Sequence, residues 1–310
     1  MAKKKLTFLT LGSDSFLRDI ILSLRRDYEI KIFQNGTEKE LKQLLHDTDI
    51  AWFEFCDQLI GQVSKSPQLC KYIVRLHSYE MFTDLPKQVN WNEIDKLVFV
   101  NEVVHDYTMQ KFQIRPDICE IVHNGVNCDK FQIPKNKSFN KKVAFVGYMN
   151  YKKGPQMLIE ACRAIYEHDP EYTFHVAGAH QDERIHLYFQ TMENQLPFKI
   201  NFDGWVNDVP KYLEDKDFVI SSSLFESFQY SIAEGMAQGC IPLVHCWVGS
   251  NMFYPKEYIF SSPEKCVEIV KNFEAAKDKD AEREKVRKHI VDNFSLDKQI
   301  NQIKSLLESL

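Results

Sequence analysis

The chain has 310 residues, of which 44% are apolar and 27% charged, and its formal net charge is −5. That length is comfortable for two cores of ordinary size, and the composition is that of a globular protein. The acidic balance argues against a dedicated nucleic-acid binder, which carries a basic excess. The one dense basic run, Lys3-Lys4-Lys5, reads as a solvated tail before the first strand. Eight cysteines are scattered without a CxxC pair, so the spacing of a zinc site is missing. The N-terminus lacks the apolar run of a signal peptide, and no segment approaches the ~20 apolar residues of a membrane span. The expectation is a reducing, cytoplasmic setting, with a peripheral membrane contact left open.

The predicted elements alternate between strand and helix. Leu6 to Gly12 is a short apolar strand, and Phe16, Ile20 and Leu24 then recur at helical spacing. Glu29 to Phe33 is a strand, KELKQLLHD a helix, and Asp49 to Phe55 a third strand. Tyr72 to Ser78 and Lys96 to Glu102 read as two more. Ile118 to Phe131 breaks the pattern with an Asn124-Gly125 turn signal, and the polar run Pro134 to Lys142 follows. The alternation restarts with strand Val143 to Met149, helix PQMLIEACRAIYEH, and strands YTFHVAG and KINFDGW. After a further helix come strand Asp217 to Ser223, helix QYSIAEGMAQ and strand CIPLVHC, and Ser295 to Leu310 is an amphipathic helix. Short apolar strands joined by helices imply parallel pairing with right-handed crossovers. The expected architecture is α/β, with two Rossmann-like domains whose parallel sheets face an interdomain cleft. The domains are 1–137 and 138–295, with the 296–310 helix packing back on the first. Ligands of such folds bind at the carboxyl ends of the strands.

The most specific signal is Phe225-Glu226-Ser227-Phe228-Gln229-Tyr230-Ser231-Ile232-Ala233-Glu234, directly after an apolar strand. Ser227 suits an N-cap and Gly239 a helix stop. Glu226 then lies before the helix and Glu234 about two turns into it, roughly 10 Å away. The helix start between them, with free N–H groups from Ser227, Phe228, Gln229 and Tyr230 and a positive partial charge, suits a diphosphate. A carboxylate on each side can accept bonds from ribose hydroxyls at one end and hexose hydroxyls at the other. The plainer alternative is one glutamate complementing the dipole and one on the surface. Lys152 and Lys153 precede Gly154 and Pro155, and proline suits the first helical position. Two lysines there oppose the helix dipole unless an anion binds, or they are simply solvated.

Residues 221–244, SSSLFESFQYSIAEGMAQGCIPLV, resemble the E-x7-E segment of retaining family-4 glycosyltransferases (glycosyl transferases group 1), which have the GT-B fold. VAFVGYMNYKKGPQMLIEA resembles their segment with the phosphate-binding lysine, which falls on Lys153. IVHNGVNCDKF resembles their hinge, and FHVAG and FDGWV sit where two further strand ends belong. The resemblance covers roughly residues 118–260 well and the first domain in outline. It implies that Glu226 orients the donor sugar, Glu234 holds ribose, and Trp205 and Val206 lie near the nucleobase. It implies a role for His77, at a strand end, in contacting the sugar or polarising the reacting region; packing is the alternative. Gly12 and Ser13, in the first strand-to-helix loop, either approach the donor phosphate or acceptor or form a plain turn. Two positions depart from the family. Tyr148 stands where an arginine usually shares the diphosphate, and Ser227 where glycine is common.

The implied activity is transfer, with retention, from a nucleoside-diphosphate sugar to a glycan, a lipid-linked sugar or a protein. Glu226, His77 and Lys153 carry it, with no metal or other cofactor. The rivals are a catalytically weak GT-B protein that binds a nucleotide sugar or glycan, which Tyr148 motivates, and a GT-B nucleotide-sugar epimerase. His175, His180 and His186 lack a same-face helical spacing for a metal. No Gly-x-Ser-x-Gly elbow, P-loop or full GxGxxG occurs.

Overall fold

The computed structural model describes residues 3–10 and 15–310 and divides into two compact units, 1–125 with 296–310, and 126–295. Gly12 and Ser13 lie outside the described residues.

In chain order the first unit contains β1 (Lys5–Leu9), α1 (Arg18–Leu24), β2 (Glu29–Phe33), α2 (Glu38–His46), β3 (Ile50–Phe53) and α3 (Gln58–Val63). It continues with β4 (Lys71–Leu76), β5 (Lys96–Phe99), α4 (Glu102–Lys111) and β6 (Cys119–Ile121). The strands form one parallel sheet in the order β2-β1-β3-β4-β5-β6. β3 is buried along its whole length and β4 at all but its first residue. That accounts for their continuous apolar runs, since both faces of a parallel sheet are covered. α2 starts with a capping box, in which the Thr37 hydroxyl accepts from the Glu40 N–H and Glu40 returns to the Thr37 N–H.

The second unit runs β7 (Lys142–Val146), α5 (Pro155–His168), β8 (Thr173–Ala177), α6 (Glu183–Glu193), β9 (Ile200–Gly204), α7 (Val209–Leu213) and β10 (Phe218–Ser221). Then come α8 (Tyr230–Ala237), β11 (Ile241–His245), α9 (Ser250–Phe253), β12 (Ile259–Phe260), α10 (Pro263–Ala275) and α11 (Lys279–Phe294). Its parallel sheet has the order β12-β11-β10-β7-β8-β9. The order reverses between β7 and β10, and at such a switch point the loops after the two strands diverge and leave room for a ligand.

The last helix, α12 (Leu296–Glu308), belongs to the first unit. Its Ile303, Leu306 and Leu307 join the core formed by β1, α1, β3 and β5. The sequence places the division at 137/138, whereas residues 126–137 pack with the second unit. Val126 pairs with Ser295 and donates to the Phe294 carbonyl at 2.8 Å, and Phe131 is buried in the second core. Polar composition does not show this: besides Val126 and Phe131, Cys128 packs on the second core and the buried Lys137 ammonium donates to the Leu213 and Gln238 carbonyls. α3, α4, α6, α9, α10 and α11 are absent from the sequence reading. α11 buries Arg283 alongside Val286, Ile290 and Phe294, so a charged residue interrupts its apolar stripe. All eight cysteines are free thiols. Among the described residues, no helix is long and apolar enough to cross a membrane.

Candidate functional site

The loops that follow β7 and β10 hold the expected site residues Lys153 and Glu226. After β7 the chain makes a single 3-10 turn, Tyr151–Lys153, capped by the Asn150 side chain. It then enters α5 through Gly154, with Pro155 at the first helical position. Gly154 has φ +61°, and a Cβ there would stand 2.1 Å from the Ser222 carbonyl oxygen. Only glycine permits that approach. The two loops are joined at adjacent residues: the Leu224 N–H donates to the Lys152 carbonyl at 2.8 Å, and the Ser222 hydroxyl to the Lys153 carbonyl at 2.6 Å.

This backbone contact brings Glu226 to both lysines. Lys153 Nζ donates to Oε1 at 2.6 Å and Lys152 Nζ to Oε2 at 3.1 Å, and the Ser223 hydroxyl donates to Oε1 at 2.9 Å. Glu226 is only 6% exposed. Burial pushes its carboxyl up, but the charges of Lys153 and Lys152 outweigh burial and hold it below the ordinary 4.5. Ser223, from the serine run at the end of β10, and Lys152 as a direct partner of Glu226 are additions made by the structure. His245, at the end of β11, supports the loop through an Nδ1 contact to the Ser223 carbonyl at 3.0 Å.

The start of α8 corrects one expectation. Ser227 is not its N-cap; Gln229 is, in the left-handed conformation with φ +63° and without a side-chain cap bond. The Tyr254 hydroxyl, buried beneath, donates to the carbonyls of Phe228 and Gln229 and holds this turn. Phe228 is a core residue, its ring edge-on to Phe253 and Tyr230, so any ligand contact from it comes from the backbone. Among the described residues the buried Gln229 amide oxygen has no hydrogen-bond partner, and Ser227 and Tyr230 are half-buried. Glu234 is the fifth residue of α8 and half-buried. Burial pushes its carboxyl up to about 7, with Lys130 offsetting part of the effect. Gly239 follows α8 with φ +74°, as expected of a helix stop.

Tyr148 and Trp205 follow β7 and β9 and meet as an exposed pair, ring centroids 5.1 Å apart and 43% and 60% exposed. The Trp205 indole N–H donates to Asn207, and Val206 is half-buried beside it. His180 and His186 lie ring to ring at 5.1 Å, and His180 also meets the rings of Phe189 and Phe202. Among the described residues, no cluster of three or more His, Cys, Asp or Glu is arranged to hold a metal.

In the first unit His77 follows β4, its ring between Phe16 and Phe55. Its Nε2 lies 3.0 Å from Glu54 Oε1. Glu54 is fully buried and accepts from Arg75 at 3.1 Å and from the Trp52 indole at 2.7 Å, while Arg75 also donates to Asn124. Burial pushes Glu54 up, but Arg75 and His77 outweigh it and its carboxyl stays below the ordinary value. Nothing in the local sequence signals this network, because its members come from β3, β4 and the segment after β6.

Residues 140–257 match the family model described as Glycosyl transferases group 1. The UDP-Gal:alpha-D-GlcNAc-diphosphoundecaprenol alpha-1,3-galactosyltransferase of Escherichia coli is 23% identical over 176 residues, 53% of this chain and 46% of that protein. The mannosylfructose-phosphate synthase of Agrobacterium fabrum is 26% identical over 194 residues, 56% of this chain and 43% of that protein. The chain thus spans about half the length of the curated relatives it matches. In fold it is similar to Anabaena HepE, solved with UDP and glucose, at a TM-score of 0.78 and 15% identity over 99% of this chain and 100% of that one. TarM of S. aureus gives a TM-score of 0.71 at 17% identity, over 86% of this chain and 57% of that one. The matched segment contains both loops that join Lys153 to Glu226, so this part of the chain is similar to the glycosyl transferases group 1 family, and the fold is GT-B-like.

Proposed function

We propose that this protein transfers a glycosyl group from a nucleoside-diphosphate sugar, with retention at the anomeric carbon, to a glycan, lipid-linked or protein acceptor. The observation that carries this reading is the buried Glu226 carboxylate, 2.6 Å from Lys153 Nζ at the switch point of the second sheet. Lys153 and the N–H groups at the start of α8 stabilise the leaving diphosphate as charge builds on it. Glu226, ionised and with its geometry held by Ser223, accepts hydrogen bonds from the donor sugar. The opposite charge of Lys130 does not overcome the burial of Glu234, and ribose hydroxyls complete its set of partners. Trp205 and Val206 receive the nucleobase, with Tyr148 extending the aromatic surface. Uridine is the first nucleoside to try, because HepE and TarM were solved with UDP and the Escherichia coli relative uses UDP-Gal. Eight free thiols support a reducing, cytoplasmic setting.

A thermal-shift panel of UDP-, GDP-, ADP- and CDP-sugars identifies the donor, since a ligand at about 100 times its Kd adds about 2.7 kcal/mol. With that donor, Glu226→Gln is expected to fold normally and to lose about 100-fold or more in transfer. Near-normal turnover by the mutant rejects the assignment. A wild-type protein that binds the donor but neither transfers nor hydrolyses it is the binding protein that Tyr148 in place of arginine suggests.

A further inference from the structure

A buried carboxylate that already holds one lysine and one hydroxyl has no need of a second cation. Glu226 nevertheless holds two, and the second, Lys152, is not placed by chance rotamers alone. Its own carbonyl is fixed to the Leu224 N–H, one residue from where Lys153 is fixed to Ser222. Both ammonium groups are therefore presented at one carboxylate, against their mutual repulsion, and the group of three carries a net charge of +1. A diphosphate is the anion class that this surplus suits. No cation comes from position 148, where the family resemblance leads one to expect arginine: Tyr148 is uncharged and its ring packs on Trp205. Arg184, on α6, is held by Asp182 in two hydrogen bonds and lies over the Tyr151 ring.

We infer that Lys152 is the second phosphate-binding cation of this site, sharing the diphosphate with Lys153 in place of the missing arginine. The inference rests on the nucleoside-diphosphate reading above. In the free protein both lysines lean on Glu226. When a donor binds, its phosphates take the ammonium groups, and Glu226 is released to the hydroxyls of the sugar. Lys152 is 46% exposed against 16% for Lys153, so it has the freedom to swing onto the more solvent-facing phosphate.

Calorimetry of UDP and of uridine, on wild type, Lys152→Ala, Lys152→Arg and Lys153→Ala at low and raised KCl, tests this. Lys152→Ala is expected to raise the Kd for UDP about tenfold, as loss of a charge-assisted bond does. It should leave uridine binding unchanged and make the UDP affinity less sensitive to salt. Lys152→Arg should keep most of the affinity. An unchanged UDP Kd in Lys152→Ala, with weak binding by Lys153→Ala, overturns the inference and leaves the diphosphate site standing. Equal losses for UDP and uridine also overturn it, because Lys152 then acts on the nucleoside or on the loop. If Lys153→Ala binds UDP normally, or wild type binds none of UDP, GDP and ADP, the diphosphate reading itself fails and the inference with it.

Discussion

Two glutamates of one ten-residue motif are driven in opposite directions. Glu226 is surrounded by two ammonium groups and a hydroxyl and is held ionised. Glu234, eight residues on, meets burial with only Lys130 opposing it, and its carboxyl rises to about 7. The pH dependence follows from the second shift. Between about 4.5 and 7 the unfolded chain ionises Glu234 while the folded protein keeps it protonated, so stability falls as pH rises through that window and levels off above it. Glu234→Gln is expected to raise the melting temperature above pH 7 and to change little at acid pH, as a pH series of thermal melts measures. Ribose hydroxyls that donate to Glu234 favour its ionised form. UDP binding near pH 7 should then release protons from wild type and not from the mutant, read by calorimetry in buffers of different ionisation heat. A binding-linked proton release that persists in Glu234→Gln would assign it to another group.

Among the elements, the site depends on how the β7–α5 loop lies on the β10–α8 loop. Gly154 allows the contact, Ser222 and Leu224 bond it, and Lys152, Lys153 and Glu226 meet because of it. Gly154→Ala places a Cβ 2.1 Å from a carbonyl oxygen at a φ of +61°. A cost of about 2–3 kcal/mol is expected in urea unfolding of the mutant, from the left-handed backbone and the clash together. The loops should separate as well, so diphosphate affinity falls even under conditions where the protein is folded. Unaltered affinity in folded Gly154→Ala would show that the lysines find Glu226 without this contact. The left-handed cap at Gln229 is a second such joint, held by Tyr254 from the loop after α9.

At the scale of the whole molecule the chain passes between its units twice, at 125/126 and 295/296, and α12 returns to the unit in which the chain began. Leu307 is fully buried in the first unit's core with Leu6, Phe8 and Ile20. Leu307→Ala is expected to cost that unit about 2–4 kcal/mol. Hydrogen exchange resolved along the chain should show lost protection in β1, β3 and β5, with the β7–β10–β11 strands unchanged. Equal loss in both sheets would mean that the two units unfold as one. The last fifteen residues are therefore structural for the first unit, whereas Lys152, Lys153 and Glu226 lie in the second.

The alternation of elements, the doubling of the α/β pattern and the Glu226–Glu234 motif were legible in the sequence, because burial on both faces of a parallel sheet writes apolar runs and helix periodicity writes spacing. Helix α5 is found at the residues that its Pro155 start and apolar stripe indicate, Pro155–His168. Periodicity failed for α11, whose buried face includes Arg283, and for β6, which is three residues long. The N-cap of α8 was misplaced to Ser227 because a serine before a helix is a good local cap, whereas a tyrosine hydroxyl 25 residues away stabilises a left-handed Gln229 instead. The same limit applies to the charges. Local sequence identifies Lys152, Lys153 and Glu226 as ionisable groups in loops, but 73 residues separate Lys153 from Glu226. Which cation meets which carboxylate, and whether burial or a counter-charge sets its protonation, depends on strand order and on one glycine without a Cβ. Strand order and burial are properties of the packed sheet, so tertiary structure alone decided them.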